Sequence, residues 1–445
     1  MLLLPAALLA AASVRAGTNH SPGSLFPSYE GRVMCGYQGW FRAEGDGSDN
    51  GWEHFGRGGK FDPKNCVIDY WPEVSEYAKT YPTGFKARDG RPARVFSPWD
   101  ASTLDTHFRW MREYGIDGVF MQRFYRVTRT PENRAEGRVV LENALKASQK
   151  YQRAIAVMYD LSGLETNENC DSIIQDWKEL VDGLKITSQG TNQTYLYHRG
   201  KPLVAIWGLG FESRAYDIHK IGIEKLLDFL KNDPQYGGCS ILLGVPTYFR
   251  ELGSDTTHDP YLHEIMAKAD VILPWMVGRF RVTSPFQDGV NDYASQVKDD
   301  LAWCAQRNLD YAPVVFPGFS WYNLKSRADG KHDLDLKKHK PVLGDVPRLR
   351  GKFYWSLMTA AMQSGAKMIY VAMFDEMNEG TAILKCSNLP PANQPPAKFL
   401  TYEGLRTDHY LWLTGMAGKM LRHEIPLNEK LYLNVNHTPQ TNAIK

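Results

Sequence analysis

The stretch Ala366-Lys-Met-Ile-Tyr-Val-Ala-Met-Phe374, running on into Asp375-Glu-Met-Asn-Glu-Gly-Thr381, decides the fold of this chain. A short, almost uninterrupted apolar run reads as a β-strand buried on both faces, which belongs to a parallel sheet covered by helices. Seven more such runs precede it, at Val33–Phe41, Ile116–Phe124, Arg153–Asp160, Lys201–Trp207, Gly238–Val245, Ala269–Val277 and Asp310–Pro317. Between them lie apolar residues at helical spacing: Leu104, Phe108 and Met111; Ile173, Trp177, Leu180 and Leu184; Ile223, Leu227 and Leu230; Tyr293, Val297, Leu301 and Cys304. Eight strands alternating with helices predict an α/β fold, a closed (β/α)8 TIM barrel with extended loops at its C-terminal face. An open doubly wound sheet would want a G-x-G-x-x-G turn after the first strand, and Gly36-Tyr-Gln-Gly39 does not supply one.

The first connection, Phe41–Thr103, is long and rich in Gly, Asp, Trp and Pro, and is expected to cover the top of the barrel. Ser387–Lys398, with four prolines, is expected to be another surface loop. Residues 1–16 form a short apolar run ending Val14-Arg15-Ala16, which reads as a secretory signal; residues 17–430 are then one catalytic domain and 431–445 a tail. The expected location is secreted or periplasmic. No other stretch approaches the length of a membrane span. With 52 Lys and Arg against 50 Asp and Glu, the net charge of +2 gives no reason to expect a nucleic acid as partner. Six cysteines lack C-x-x-C spacing, so no metal site is indicated; one or two disulfides are compatible with export, while Cys35, Cys239 and Cys304 read as buried free thiols. Asn192-Gln-Thr194 and Asn436-His-Thr438 are glycosylation sequons.

In a barrel the residues at the carboxyl ends of the strands face the site. Those ends carry Tyr37, Gln38 and Trp40; Gln122 and Arg123; Tyr159 and Asp160; Trp207; Trp275 with Arg279; Trp321 and Tyr322; and finally Glu376 and Glu379. Trp52 and His54 of the first long loop join them as candidates. Aromatic faces stack on sugar rings and carboxylates, amides and guanidinium groups bind hydroxyls, so the mixture suits a carbohydrate. Arg123 or Arg279 is expected to project into the cleft, to orient Asp160 or an acidic loop residue or to receive an acidic sugar substituent. Glu376 and Glu379 stand three apart; on a helical turn their Cβ atoms would lie about 5–6 Å from one another on one face, as paired acid and base chemistry at a glycosidic bond requires. G-x-S-x-G, G-x-x-x-x-G-K-[ST] and H-E-x-x-H are absent from the sequence. Asp46–Arg57 begins like a calcium loop, but its twelfth position is Arg57 rather than Glu. No cofactor is implied.

Phe374-Asp-Glu-Met-Asn-Glu-Gly-Thr381 resembles the eighth-strand signature of the glycoside hydrolase family 71/99-like proteins, whose endo-α-mannosidase and endo-α-1,2-mannanase members carry Asn-Glu-Trp-His-Glu-Gly-Thr. Gly36-Tyr-Gln-Gly-Trp40, Trp52-Glu-His54, His107–Gly118 and Tyr197–Val204 agree with it. The resemblance implies a TIM barrel and a retaining hydrolase of an α-linked polysaccharide or glycan. It gives Glu376 the place of the base that deprotonates the sugar 2-hydroxyl and Glu379 that of the general acid/base. Where the family has Trp-His between its acids this chain has Met377-Asn378, the preceding Asn is Asp375, and the second strand ends Gln-Arg-Phe rather than Ser-Trp-Trp, so mannan specificity is not carried over. A direct nucleophile, Glu376 or Asp160, stays open as the alternative route. A carbohydrate-binding protein without catalysis is the alternative function.

Overall fold

The computed structural model describes residues 18–188, 193–280, 286–325, 341–392 and 394–431. The expected signal segment, both sequon asparagines and the tail beyond residue 431 lie outside them.

Eight parallel strands form a ring: β1 Val33–Tyr37, β2 Gly118–Phe124, β3 Ala154–Asp160, β4 Lys201–Trp207, β5 Ser240–Val245, β6 Val271–Pro274, β7 in two pieces, Asp310–Tyr311 and Val314–Val315, and β8 Ile369–Val371. Each overlaps one of the expected apolar runs. The ring closes through β7. Its first piece pairs with β6, Asp310 opposite Val271, and its second pairs with β8, Val315 opposite Val371. The break falls at Ala312-Pro313, where proline has no N–H to give the ladder. β8 returns to β1 with Val371 opposite Cys35.

A helix follows each strand: α1 Ala101–Tyr114, α2 Pro131–Tyr151, α3 Asp171–Glu179, α4 Ile223–Asn232, α5 Tyr261–Met266, α6 Phe286–Ala305, α7 Lys352–Gln363 and α8 His409–Leu421. α2 shows local sequence logic at its start, where the Thr130 side chain caps the Asn133 N–H and Pro131 occupies the first turn. The predicted stripes face the sheet: Leu104, Phe108, Met111, Ile173, Trp177, Leu227, Leu230 and Val297 are all buried. None of the described helices is long and apolar enough to cross a membrane.

The barrel interior is filled. A Cβ on Gly36 would fall 2.1 Å from the Tyr370 hydroxyl, and one on Gly244 would fall 2.2 Å from the Trp207 ring. Glycine is required at both because a large side chain from a neighbouring strand occupies the space. The long first connection is more than a loop. It carries an antiparallel hairpin, Tyr81–Lys86 with Pro92–Val95, and buries Phe41, Trp52, Phe55, Phe61, Trp71, Phe85 and Phe96 as an aromatic layer. The six cysteines are all buried free thiols, with no disulfide; burial pushes Cys386 up to about 11 and Cys170 to about 12, which keeps them protonated.

Candidate active site

Beyond β8 the chain crosses the carboxyl end of the barrel. Phe374 N–H donates to Gly36 O at 2.8 Å, drawing the segment across β1. Asp375, fully buried, accepts the backbone N–H groups of Gln38 and Gly39, both at 2.8 Å. The β1 end so fixed delivers the Gln38 amide to Glu376: Nε2 donates to Oε1 at 2.7 Å. The Thr381 hydroxyl donates to Glu376 Oε2, also at 2.7 Å. Both oxygens of Glu376 are thus held, and the residue is only 4% exposed.

Met377–Gly380 form a turn rather than a helix, closed by Thr381 N–H and Ala382 N–H donating to Glu376 O at 3.1 and 3.0 Å. Glu379 comes out of this turn half-buried, and Ser320 N–H donates to its carbonyl at 2.9 Å. Asp69 ties the same corner to the first long loop. Its carboxylate takes the Ser320 hydroxyl and the N–H groups of Tyr322 and Asn323, at 2.7 and 2.8 Å, while its own N–H donates to Met377 O. Burial pushes Asp69 up to about 7 against those donors.

The two acids perturb one another. Burial, and next the Glu379 carboxylate, raise Glu376 well above the usual carboxylate range despite Thr381 and Gln38. Burial also raises Glu379, which the positive charge of Lys325 offsets in part. Like charges in one desolvated place cannot both ionise easily, so the pair titrates as a unit and retains a proton at higher pH than two free carboxylates would. Asp375 is pushed up to about 7 and Asp160 to about 6, burial leading in each.

Side-chain alternation along the strands sorts the other candidates. Gln122, half-buried, and Asp160 are in-phase positions of β2 and β3, and Asp160 pairs with Trp207 of β4. Asp160 accepts the Ser162 N–H at 2.7 Å. Trp207 meets Trp275 edge-on at 5.1 Å, and the Arg214 guanidinium lies 5.5 Å from its ring centre while Nη2 donates to Ser162 Oγ. Arg214 also attenuates the rise of Asp160. This arginine is absent from the sequence expectations.

Four expected cleft residues lie elsewhere. Arg123 points out of the barrel, where its Nε donates to Asp176 Oδ2 of α3 at 2.9 Å; Tyr159 donates to the same carboxylate at 2.8 Å. Tyr37 also points outward, to His107 of α1 at 2.7 Å. Each is one residue out of phase with the inward set. Trp52 belongs to the aromatic layer, 5.3 Å from Phe61 and 6% exposed. Arg279 stays at the rim and exposed, paired at 2.9 Å with Asp255, an acidic loop residue of the kind expected as its partner.

Trp40 does not offer an open stacking face. His54 lies parallel at 3.9 Å and Phe124 at 5.1 Å, and two rings so close to the Trp40 centre fit only on opposite faces. Burial, with Arg42 and Arg126 nearby, pushes His54 down to about 3, so its ring is neutral. Trp321 stands half-buried against Phe319, with the Lys325 ammonium 5.2 Å from its ring; Tyr322 carries Lys398 in the same manner. Several buried polar atoms at these strand ends have no partner among the described residues: Gln38 Oε1, Trp40 Nε1, Trp207 Nε1, Arg214 Nε and Asn378 Oδ1. Buried donors and acceptors are ordinarily paired, so groups that lack a protein partner at strand ends are set for an external one.

The same fold occurs in the GH99 endo-alpha-mannosidase from Bacteroides thetaiotaomicron. A structure of that protein in complex with bis-tris-propane matches with a TM-score of 0.57 at 15% identity, over 89% of this chain and 98% of that one. A second structure of it matches with a TM-score of 0.58 at 15% identity, over 88% and 98%. A glycoside hydrolase-like protein matches with a TM-score of 0.48 at 13% identity, over 79% and 94%. No family model matches the sequence, and no curated protein matches it either.

Proposed function

We propose that this protein is a secreted glycoside hydrolase that cleaves an α-linked polysaccharide or glycan with retention, Glu376 acting as base and Glu379 as general acid/base. The observation that carries the reading is the pair itself: two carboxyls in one desolvated corner at the carboxyl end of β8, one gripped at both oxygens and the other half-buried in a turn. The barrel shared with an endo-alpha-mannosidase supports it, as do the polar atoms without protein partners, which suit a polyhydroxylated ligand.

In the proposed reaction Glu379 gives its proton to the glycosidic oxygen as the bond to the anomeric carbon breaks. Glu376 takes the proton of the 2-hydroxyl, whose oxygen closes on the anomeric carbon. Glu379, now ionised, removes a proton from the incoming water, and Glu376 returns its proton as the three-membered ring opens. Two inversions at one carbon give net retention. Gln38 and Thr381 both stabilise the ionised form of Glu376 that the base role needs, and so work against the rise that burial and Glu379 impose on it. A direct attack by Glu376 would use the same residues and give the same stereochemistry.

The test is Glu376→Gln and Glu379→Gln. Each should fold and lose activity by about 10²–10⁴-fold. A glycosyl fluoride needs no leaving-group protonation, so Glu379→Gln should regain its first step on that substrate and Glu376→Gln should not. Equal recovery in both variants would reject the assignment of roles.

A further inference from the structure

Thr381, whose hydroxyl holds Glu376 Oε2, lies between two carbonyls that share a single donor. Arg348 Nη2 donates to Gly380 O at 2.9 Å and to Ala382 O at 2.7 Å. Arg348 is 4% exposed and has no carboxylate within ion-pair reach among the described residues. Its charge rests instead on three phenol rings, with the guanidinium carbon 4.3 Å from the Tyr70 centre, 4.5 Å from Tyr410 and 5.1 Å from Tyr402. Among the described residues, Nε and Nη1 have no hydrogen-bond partner. A buried cation without an anion is costly even over aromatic faces, and a packed apolar side chain would ordinarily be more stable there.

The surroundings seat this arginine firmly. Phe319 and Val346 exchange backbone hydrogen bonds at 3.0 and 2.9 Å, bringing the chain before α7 against the loop after β7. A Cβ on Gly318 would fall 2.7 Å from Arg348 Cγ. The Glu379 carbonyl is held from the neighbouring side by Ser320. Gly380, at φ +66°, passes so close to Ser320 that a Cβ there would fall 2.8 Å from it. The turn is clamped at Glu379 by a backbone donor and at Gly380 and Ala382 by a cation.

We propose that Arg348 is a positioning residue, a buried cationic clamp whose grip on the Gly380 and Ala382 carbonyls aims the Thr381 hydroxyl at Glu376; its consequence for catalysis rests on the hydrolase reading above. Arg348 touches neither acid, so it acts through Thr381. One nitrogen, Nη2, reaches both carbonyls at once with its two N–H donors.

The experiment combines hydrogen exchange with a double-mutant cycle. In Arg348→Met, amide protection across residues 375–383 should fall at least tenfold with protection of the remaining barrel kept, and kcat should fall at least tenfold with KM changed less than twofold. Thr381→Val should lower kcat similarly while leaving that protection intact, and the double variant should be no slower than Arg348→Met alone, because the second change removes a link already lost. Arg348→Lys, which keeps a cation but loses the guanidinium plane seated on the three rings, should lie between wild type and Met, and it carries the exchange test should the Met variant fail to fold. Unchanged protection in whichever variant folds, or kcat losses that multiply independently, would overturn the clamp. If the wild-type protein hydrolyses nothing, the hydrolase reading falls while the exchange result still judges the clamp.

Discussion

Gln38 gives its side-chain N–H to Glu376 Oε1 at 2.7 Å while its backbone N–H is held by Asp375 at 2.8 Å. The residue before the acid thus fixes the group that orients the acid, across the seam where β8 meets β1. Removing the amide in Gln38→Leu deletes a charge-assisted hydrogen bond of about 1.5–3 kcal/mol. The expected result is a ten- to hundredfold loss in kcat with the fold intact by circular dichroism. Activity within twofold of wild type would show that Gln38 does not orient Glu376.

The shared environment of the acids sets a pH window. Both are raised, so the limbs of a kcat/KM profile should stand above the ordinary glutamate value of about 4.3. Below the lower limb both acids are protonated and the base is lost; above the upper limb both are ionised and the acid is lost. A profile still rising as pH falls below 4 would contradict the coupling.

Asp375 makes a separate prediction about stability. Its folded value near 7 lies above the unfolded value of about 3.9, so the folded state binds the extra proton between them. Its contribution is therefore fully present at acid pH and is lost as pH rises from about 4 towards 7, by at most about 1.4 kcal/mol per pH unit. Asp375→Asn removes the titration but loses one of two backbone acceptors. Its deficit against wild type in urea melts should shrink between pH 5 and pH 8; a constant deficit would contradict this.

Arg123 and Arg214 should part company. Arg123→Met strands Asp176 and should cost about 3–5 kcal/mol of stability, with kcat/KM of the folded fraction unchanged. Arg214→Met should leave the melting temperature within a few degrees and raise KM several-fold, because its guanidinium lies at the strand ends beside Trp207 and Asp160. The reverse pattern would exchange their roles.

Much of the barrel was legible because each strand is a short apolar run buried on both faces, and the aromatic and acidic residues beyond them marked one end. Treating consecutive residues at a strand end as neighbours in the cleft was the error at Tyr37, Arg123 and Tyr159. Successive side chains alternate, and Gln122 and Asp160 share a phase that Arg123 and Tyr159 do not. Trp40 was legible as a strand-end aromatic, but its covered faces depend on His54 and Phe124, which come from other parts of the chain. Asp69 and Arg348 left no local signal: Asp69 meets the Tyr322 N–H 253 residues away, and Arg348 reaches the acid turn from the segment before α7. Pro313 in the seventh run was the visible mark of the two-piece strand that closes the ring.

The most direct measurement of the central claim is ¹H NMR of the first sugar released when the protein is incubated with a panel of α-linked oligosaccharides and polysaccharides of plant, algal and fungal origin, beside Glu376→Gln. Wild type should release a new reducing end that appears first in the α configuration, and the variant should not. A β anomer appearing first would exclude the retaining mechanism, and saturable binding with no new reducing end over days would make the protein a carbohydrate-binding barrel instead.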